Sequence, residues 1–318
     1  MTRTAWMFPG QGSQAAGMGR QLLAEYAHAR EILDLAEQRS GLPLSELRHR
    51  GPVSELRRPS VSEPLITAIS ISYVEVLRSL GLSPDFIAGY SAGEVAAFYA
   101  AGVLSLEDAI EIAVIRGQLF EEFTSSDGRM VTISGVSSLA VLEVVAELSS
   151  QGQQVYLAGQ NAPRHTTLVG SEADVLKAEG ILSRLGAEIS QVNVSGKWHS
   201  IHLAAASKLL VEKLEKFAFN TPQAPLLTSA SGDFRENPDD LMHDLSIGVS
   251  QPVLWQQIID KLSTAGVRCF CECGAGRVLF GLMRWNNEQI HEYQSICVED
   301  RGGGLKPLKR LATKNIAE

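Results

Sequence analysis

Apolar residues follow two rhythms along this chain: short runs bounded by glycine or proline, and longer stretches with helical spacing. Residues 5–8 make a short apolar strand, and Pro9-Gly10-Gln11-Gly12-Ser13-Gln14 follows as a glycine-broken loop. Leu22, Leu23, Tyr26, Ile32, Leu33 and Leu35 recur at helical intervals and predict a helix over residues 19–39. Residues 41–64 are polar, with Pro43, Pro52, Pro59 and Pro64 as breakers, and a mostly apolar helix is expected over 65–80. Phe86-Ile87-Ala88 suits the end of a buried strand, and residues 94–101 read as the start of a helix. Ser105, with Asp108 three residues on, caps a further helix that runs to residue 123.

The rhythm changes over residues 128–195. Strand-like runs at 129–135, 154–158, 166–170 and 189–194 alternate with helical ones at 138–148 and 173–185, and Asn161-Ala162-Pro163 reads as a turn. That β-α-β-β-α-β order is the ferredoxin-like split motif. It divides the chain into a large unit, residues 1–126 and 197–318, and a small one inserted in it, residues 127–196. Beyond the insertion the pattern predicts a helix at 201–217, a strand at 226–229, an acidic loop at 232–241, a helix at 256–265 and a strand at 267–272.

Within this frame Gly89-Tyr90-Ser91-Ala92-Gly93 fits G-x-S-x-G, the pattern of a nucleophile elbow between strand and helix. A sharp turn there lifts the Ser91 hydroxyl clear of the backbone, and the Ala92 amide at the new helix N-terminus points at the same space. The other reading is an ordinary glycine-flanked turn. Gln11 has a similar pair of readings, as a turn residue or as a glycine-framed donor to a bound carbonyl. The glycines around it lack the Walker lysine and any G-x-G-x-x-G run, which argues against a nucleotide site.

A serine nucleophile needs a base, and His is the usual one. His28 and His49 lie in polar segments, His243 and His291 among charges, and His165 on an edge of the insertion. His199, with His202 three residues on, stands where the insertion returns to the large unit, a good place for a cleft residue. A capping or core histidine is the alternative. Arg116 sits on an otherwise apolar helix face, either snorkelling to the surface or buried to await a carboxylate.

Composition narrows the class. The chain has 318 residues, 45% hydrophobic and 20% charged, with a net charge of −8. That length buries a large core, and the acidic balance without a Lys/Arg run argues against nucleic acid as a partner. No apolar run approaches membrane-spanning length and no signal-peptide core is seen, so no membrane association and a cytoplasmic enzyme are expected. Cys269, Cys271 and Cys273 alternate along a strand, with neighbours expected on opposite faces; with Cys297 they read as reduced thiols. No metal-binding residue is assigned.

Taken together, FPGQGSQ (8–14), GYSAGE (89–94), IRG (115–117), NAP (161–163), GKWHS (196–200), QPVLW (251–255) and ECGAGRVLFGL (272–282) resemble, in order, the malonyl-CoA:acyl carrier protein transacylases and the freestanding acyltransferases of polyketide synthases. The resemblance implies an α/β-hydrolase-like large domain with the ferredoxin-like insertion, and ping-pong acyl transfer. Ser91, activated by His199, would take an acyl group from acyl-CoA and pass it to the phosphopantetheine thiol of an acyl carrier protein. No cofactor is bound; the CoA thioester is a substrate. Gln11 and the Ala92 amide match the oxyanion hole, Arg116 the residue that grips a malonyl carboxylate, and Asn161 a residue of the same pocket. Tyr90 stands where the family has His, Ala92 where Leu is common, Lys197-Trp198 where malonyl-specific members have Ala-Phe, Glu63 for a usual Gln, and Gly248 for a Gln near the catalytic histidine. Tyr90 and Trp198 therefore bear on the acyl group. Malonyl is the expected donor group because a retained Arg116 facing a neutral chain would be an unpaired buried charge. An acyl-carrier-protein hydrolase with the same Ser–His pair, a transferase of larger or carrier-bound groups, and a docking module without catalysis are the alternatives. Carrier docking is expected at Arg277, Arg284 and the tail from Lys306 to Lys314.

Overall fold

The structure, a computed structural model, describes residues 2–123, 127–192, 194, 196–286, 290, 292–300 and 303–315; His291 lies outside them. The strands among these residues are β1 (Arg3–Phe8), β2 (Phe86–Gly89), β3 (Gly128–Ser134), β4 (Val155–Ala162), β5 (His165–Ser171), β6 (Glu188–Gln191), β7 (Leu226–Leu227), β8 (Phe234–Arg235), β9 (Val267–Glu272) and β10 (Gln294–Cys297). Six of them form one sheet in the order β10-β9-β1-β2-β7-β8, parallel except for the edge strand β8. Residues 5–8 of β1 are buried because helices cover both faces of a parallel sheet, hence the unbroken apolar run. The carboxyl ends of β9, β1 and β2 lie side by side, so the loops that follow them share one rim, where ligands bind in such sheets.

The other four strands form an antiparallel sheet in the order β4-β5-β3-β6, and helices Ser138–Ser150 and Glu172–Arg184 pack on it. Alternate residues of β3 divide the labour. Val131 and Ile133 join Val141, Val144, Val175 and Leu182 in a separate small core, while Met130 packs toward the main core and Thr132 faces a cavity. The mixed α/β class expected from sequence is observed.

Several boundaries differ from the sequence expectation for identifiable reasons. The helix expected over 19–39 is two, Arg20–Glu25 and Ala27–Ser40, separated by Tyr26 in an extended conformation. Prolines read as breakers instead sit inside helix Pro59–Ser79: Pro59 occupies its first turn, where the missing N–H is no loss, and Pro64 follows within it. This helix is long and apolar enough to cross a membrane, but 89% of that apolar window is buried in the core. β4 runs on through Asn161 and Ala162, which moves the expected turn to Pro163 and Arg164. Residues 232–241 are not simply a loop: β8 pairs with β7, and Asn237 caps helix Pro238–Ile247 by accepting the N–H groups of Asp239 and Asp240. The cysteines form no disulfide among the described residues, and Cys271 and Cys273, expected on opposite faces, instead lie on one side with sulfurs 3.8 Å apart, as the two-residue period of an extended chain requires.

Candidate active site

Ser91 follows β2 with φ of 53°, a left-handed conformation that is strained for a residue with a side chain. Close packing holds the turn in place. A Cβ on Gly89 would lie 2.4 Å from the Glu94 Cα, one on Gly93 2.1 Å from the Phe8 oxygen, and one on Gly10 2.4 Å from the Tyr90 oxygen. Glycine at these three positions lets the loop after β1 lie directly on the turn after β2. Gln11 and Ser91 are thereby brought to the same cavity. The Gln11 side-chain amide donates to the Ser62 hydroxyl at 2.8 Å. The backbone N–H groups of Gln11 and Ala92 have no hydrogen-bond acceptor among the described residues.

His199 comes to Ser91 from 108 positions along the chain, with Nε2 2.8 Å from the Ser91 Oγ. It too has a positive φ, 59°, and its backbone N–H donates to the Val249 carbonyl at 2.7 Å. Nδ1 faces two carbonyl oxygens, Gly248 at 2.8 Å and Gln251 at 2.9 Å. Carbonyls only accept, so the proton resides on Nδ1 and Nε2 is left to accept from the serine hydroxyl. Burial lowers the imidazole's pKa, the two carbonyls oppose that shift, and the charge of Arg116 adds to it. Gly248 fits this role: a Cβ there would be 3.1 Å from the Asp244 oxygen and 3.2 Å from the Glu94 carboxylate. That carboxylate accepts the Ser229 N–H at 2.7 Å, and burial raises its pKa to about 7.

The cavity, about 330 Å³, lies between the two sheets, with Ser91, His199 and Gln11 on one side and Met130, Thr132 and Thr167 on the other. Arg116 lines it but does not await a partner. Its Nε donates to the Glu63 carboxylate at 3.1 Å and its Nη1 to the Leu245 carbonyl at 3.1 Å, and its guanidinium carbon lies 5.1 Å from the Phe120 ring centre. The expectation of an unpaired guanidinium is thus corrected. The pairing follows from packing: Gly117, beside Arg116, lets helix Leu106–Glu122 approach the start of Pro59–Ser79 so closely that a Cβ would be 2.6 Å from the Pro59 oxygen.

Tyr90 donates to the Asn161 oxygen at 2.8 Å, and burial raises its pKa so that it stays a donor. Asn161 donates in turn to Thr167 at 2.9 Å and faces His165 Nδ1 at 3.1 Å. Burial, then the charge of Arg284, brings His165 down to about 4, so it is neutral and accepts. Trp198 lines the cavity against Phe120, ring centres 5.9 Å apart. Lys197 turns away to pair with Asp127 at 2.8 Å. His202 is packed edge-on against Tyr156 and takes no part in the cavity. Sequence reasoning missed Ser62, Val278 and Leu282 as site residues; only the closeness of Ser62 to Glu63 hinted at the first. No His, Cys, Asp and Glu cluster among the described residues has the geometry to hold a metal ion.

Comparison with known proteins places these features in a family. The acyl transferase domain matches residues 5–279. A malonyl CoA-acyl carrier protein transacylase of Bacillus subtilis is 32% identical over 302 residues, 94% of each chain. Crystallised FabD from Acinetobacter baumannii is 27% identical with a TM-score of 0.91, covering 100% of this chain and 99% of that one. A malonyl-transacylase solved with its type II polyketide synthase acyl carrier protein is 27% identical with a TM-score of 0.90, covering 99% and 100%. The chain therefore belongs to the acyl transferase domain family.

Proposed function

We propose that this protein is an S-acyltransferase that moves an acyl group, malonyl in the first instance, from CoA to the phosphopantetheine thiol of an acyl carrier protein, in fatty acid or polyketide biosynthesis. The observation that carries the reading is the 2.8 Å contact between Ser91 and an imidazole whose other nitrogen is fixed by two carbonyls. His199 takes the hydroxyl proton as the Ser91 Oγ attacks the thioester carbon. The backbone N–H groups of Gln11 and Ala92 hold the oxyanion, and the proton passes to the departing CoA sulfur. The same steps in reverse order deliver the acyl group from Ser91 to the carrier thiol. Tyr90, Asn161, Trp198 and Arg116 shape the acyl pocket. CoA enters as a substrate, and the chemistry calls on no resident cofactor.

In this reading the large unit, residues 1–126 and 197–318, is α/β-hydrolase-like, and residues 127–196 form a ferredoxin-like subdomain, a division supported by the two sheets and the separate small core. The enzyme is assigned to the cytoplasm. Malonyl is the group named in the relatives described above, and Arg116 lines the cavity. The Arg116–Glu63 pair favours a second reading, hydrolysis of neutral acyl chains from a carrier, since such chains need no free guanidinium.

Incubation with malonyl-CoA, followed by intact mass, tests the chemistry. The wild type is expected to gain one acyl group, Ser91→Ala none, and His199→Ala to gain it slower by about two to four orders of magnitude. Normal acylation of either variant rejects the mechanism. Adding a phosphopantetheinylated carrier separates transfer from release of free acid.

A further inference from the structure

Glu63 places a carboxylate of the protein where the acyl pocket was expected to offer a cation. Glu63 and Arg116 have side chains only 4% and 3% exposed, so water does little to screen the pair. A guanidinium grips a carboxylate bidentately through one of two edges, Nε with Nη2 or Nη1 with Nη2. Glu63 takes the Nε donor of the first edge, and the Leu245 carbonyl takes one of the two Nη1 donors. An incoming carboxylate thus finds the Nε–Nη2 edge taken by Glu63, and it brings a second negative charge to a site whose positive charge is already matched. A neutral acyl group meets neither obstacle.

We infer that Glu63 is the specificity-determining residue of this site: seated on Arg116, its carboxylate competes with that of a dicarboxylic acyl group, and neutral groups such as acetyl reach Ser91 on comparable terms with malonyl. The inference rests on the acyltransferase reading and holds for transfer and hydrolysis alike, since both begin with the same ester on Ser91. The Glu63 carboxylate is the feature that distinguishes this pocket from one with glutamine at that position. A glutamine amide can occupy the same space without neutralising the guanidinium.

The test is competition between malonyl-CoA and acetyl-CoA, read as the ratio of kcat/KM for Ser91 acylation. The wild-type ratio is expected to stay below about ten, and Glu63→Gln to raise it about ten- to a hundredfold through a fall in the malonyl KM, with acetyl as internal reference. Because Glu63→Gln leaves a buried charge unpaired, the double variant Glu63→Gln/Arg116→Gln, which removes both charges, guards against a folding defect. Its ratio is expected within about threefold of wild type, because the pair it removes offers malonyl no net attraction. Wild-type preference for malonyl above about a hundredfold, a folded Glu63→Gln with an unchanged ratio, or a tenfold or greater loss of preference in the double variant overturns the inference. No ester on Ser91 from either thioester overturns the acyltransferase reading itself.

Discussion

His199 works through its proton inventory. The proton held on Nδ1 by the Gly248 and Gln251 carbonyls leaves Nε2 as a base, and burial together with Arg116 favours that neutral form. A lowered pKa puts the midpoint of protonation below the ordinary value of 6.5, so the base persists to lower pH than in a free imidazole. Acylation by a CoA thioester, measured as kcat/KM, is therefore expected to fall along an acid limb whose midpoint lies below 6.5. An acid limb centred at or above 6.5 would contradict the assigned environment. At this scale the sequence exposed Ser91 and His199 as candidates, one through a local motif and one through its place at a junction. It did not expose the Arg116–Glu63 pair. Glu63 was visible as an unusual residue, yet its partner lies 53 positions away and their meeting depends on how two helices pack.

Elements meet at the site because glycine lets backbones touch. Gly93 is the sharpest case: a Cβ there would be 2.1 Å from the Phe8 oxygen and 2.8 Å from the Pro9 oxygen, both rigid backbone atoms. Gly93→Ala must push the loop after β1 away from the elbow helix, at about 1–3 kcal/mol. It is expected to lower the urea midpoint and, by moving Gln11 relative to Ser91, to slow acylation further than the stability loss explains. Gly281, in helix Val278–Met283, faces open space, so Gly281→Ala is the control, expected to be neutral or to stabilise by up to about 1 kcal/mol. A similar loss in both variants would mean that the contact with Phe8 and Pro9 is not the cause, since helix propensity alone favours alanine. Element order was legible in sequence, including the alternation that marks the small sheet. Element limits were less so where one residue type has two meanings. Pro59 reads as a breaker and acts as a helix start, while Asn237-Pro238-Asp239-Asp240 carries a capping signal that acidity alone disguises as a loop.

The whole molecule carries a net charge of −8, so an acidic carrier protein would be repelled by the average surface and would have to approach over a local exception. The cations expected for that role are not equivalent once placed. Arg277 and Arg284 are exposed and flank helix Val278–Met283, whose Val278 and Leu282 line the cavity, so both stand near the rim over Ser91. Each guanidinium lies over an aromatic ring, Phe280 at 4.3 Å and Trp285 at 5.3 Å; Arg277 also hydrogen-bonds Cys297, and the charge of Arg284 is felt at His165. Lys309 is drawn instead to Glu25 at 3.0 Å, and the Lys314 side chain lies outside the described residues. Docking is therefore expected at Arg277 and Arg284 before the tail. Arg277→Glu/Arg284→Glu is expected to cut kcat/KM for the carrier about tenfold or more at low salt, with the gap closing as salt rises. Self-acylation by CoA is expected to hold, because the reacting groups lie deeper, at Ser91 and His199. Equal loss in both half-reactions would assign the two arginines to the CoA phosphates, and unchanged carrier kinetics would move the docking face elsewhere on the rim.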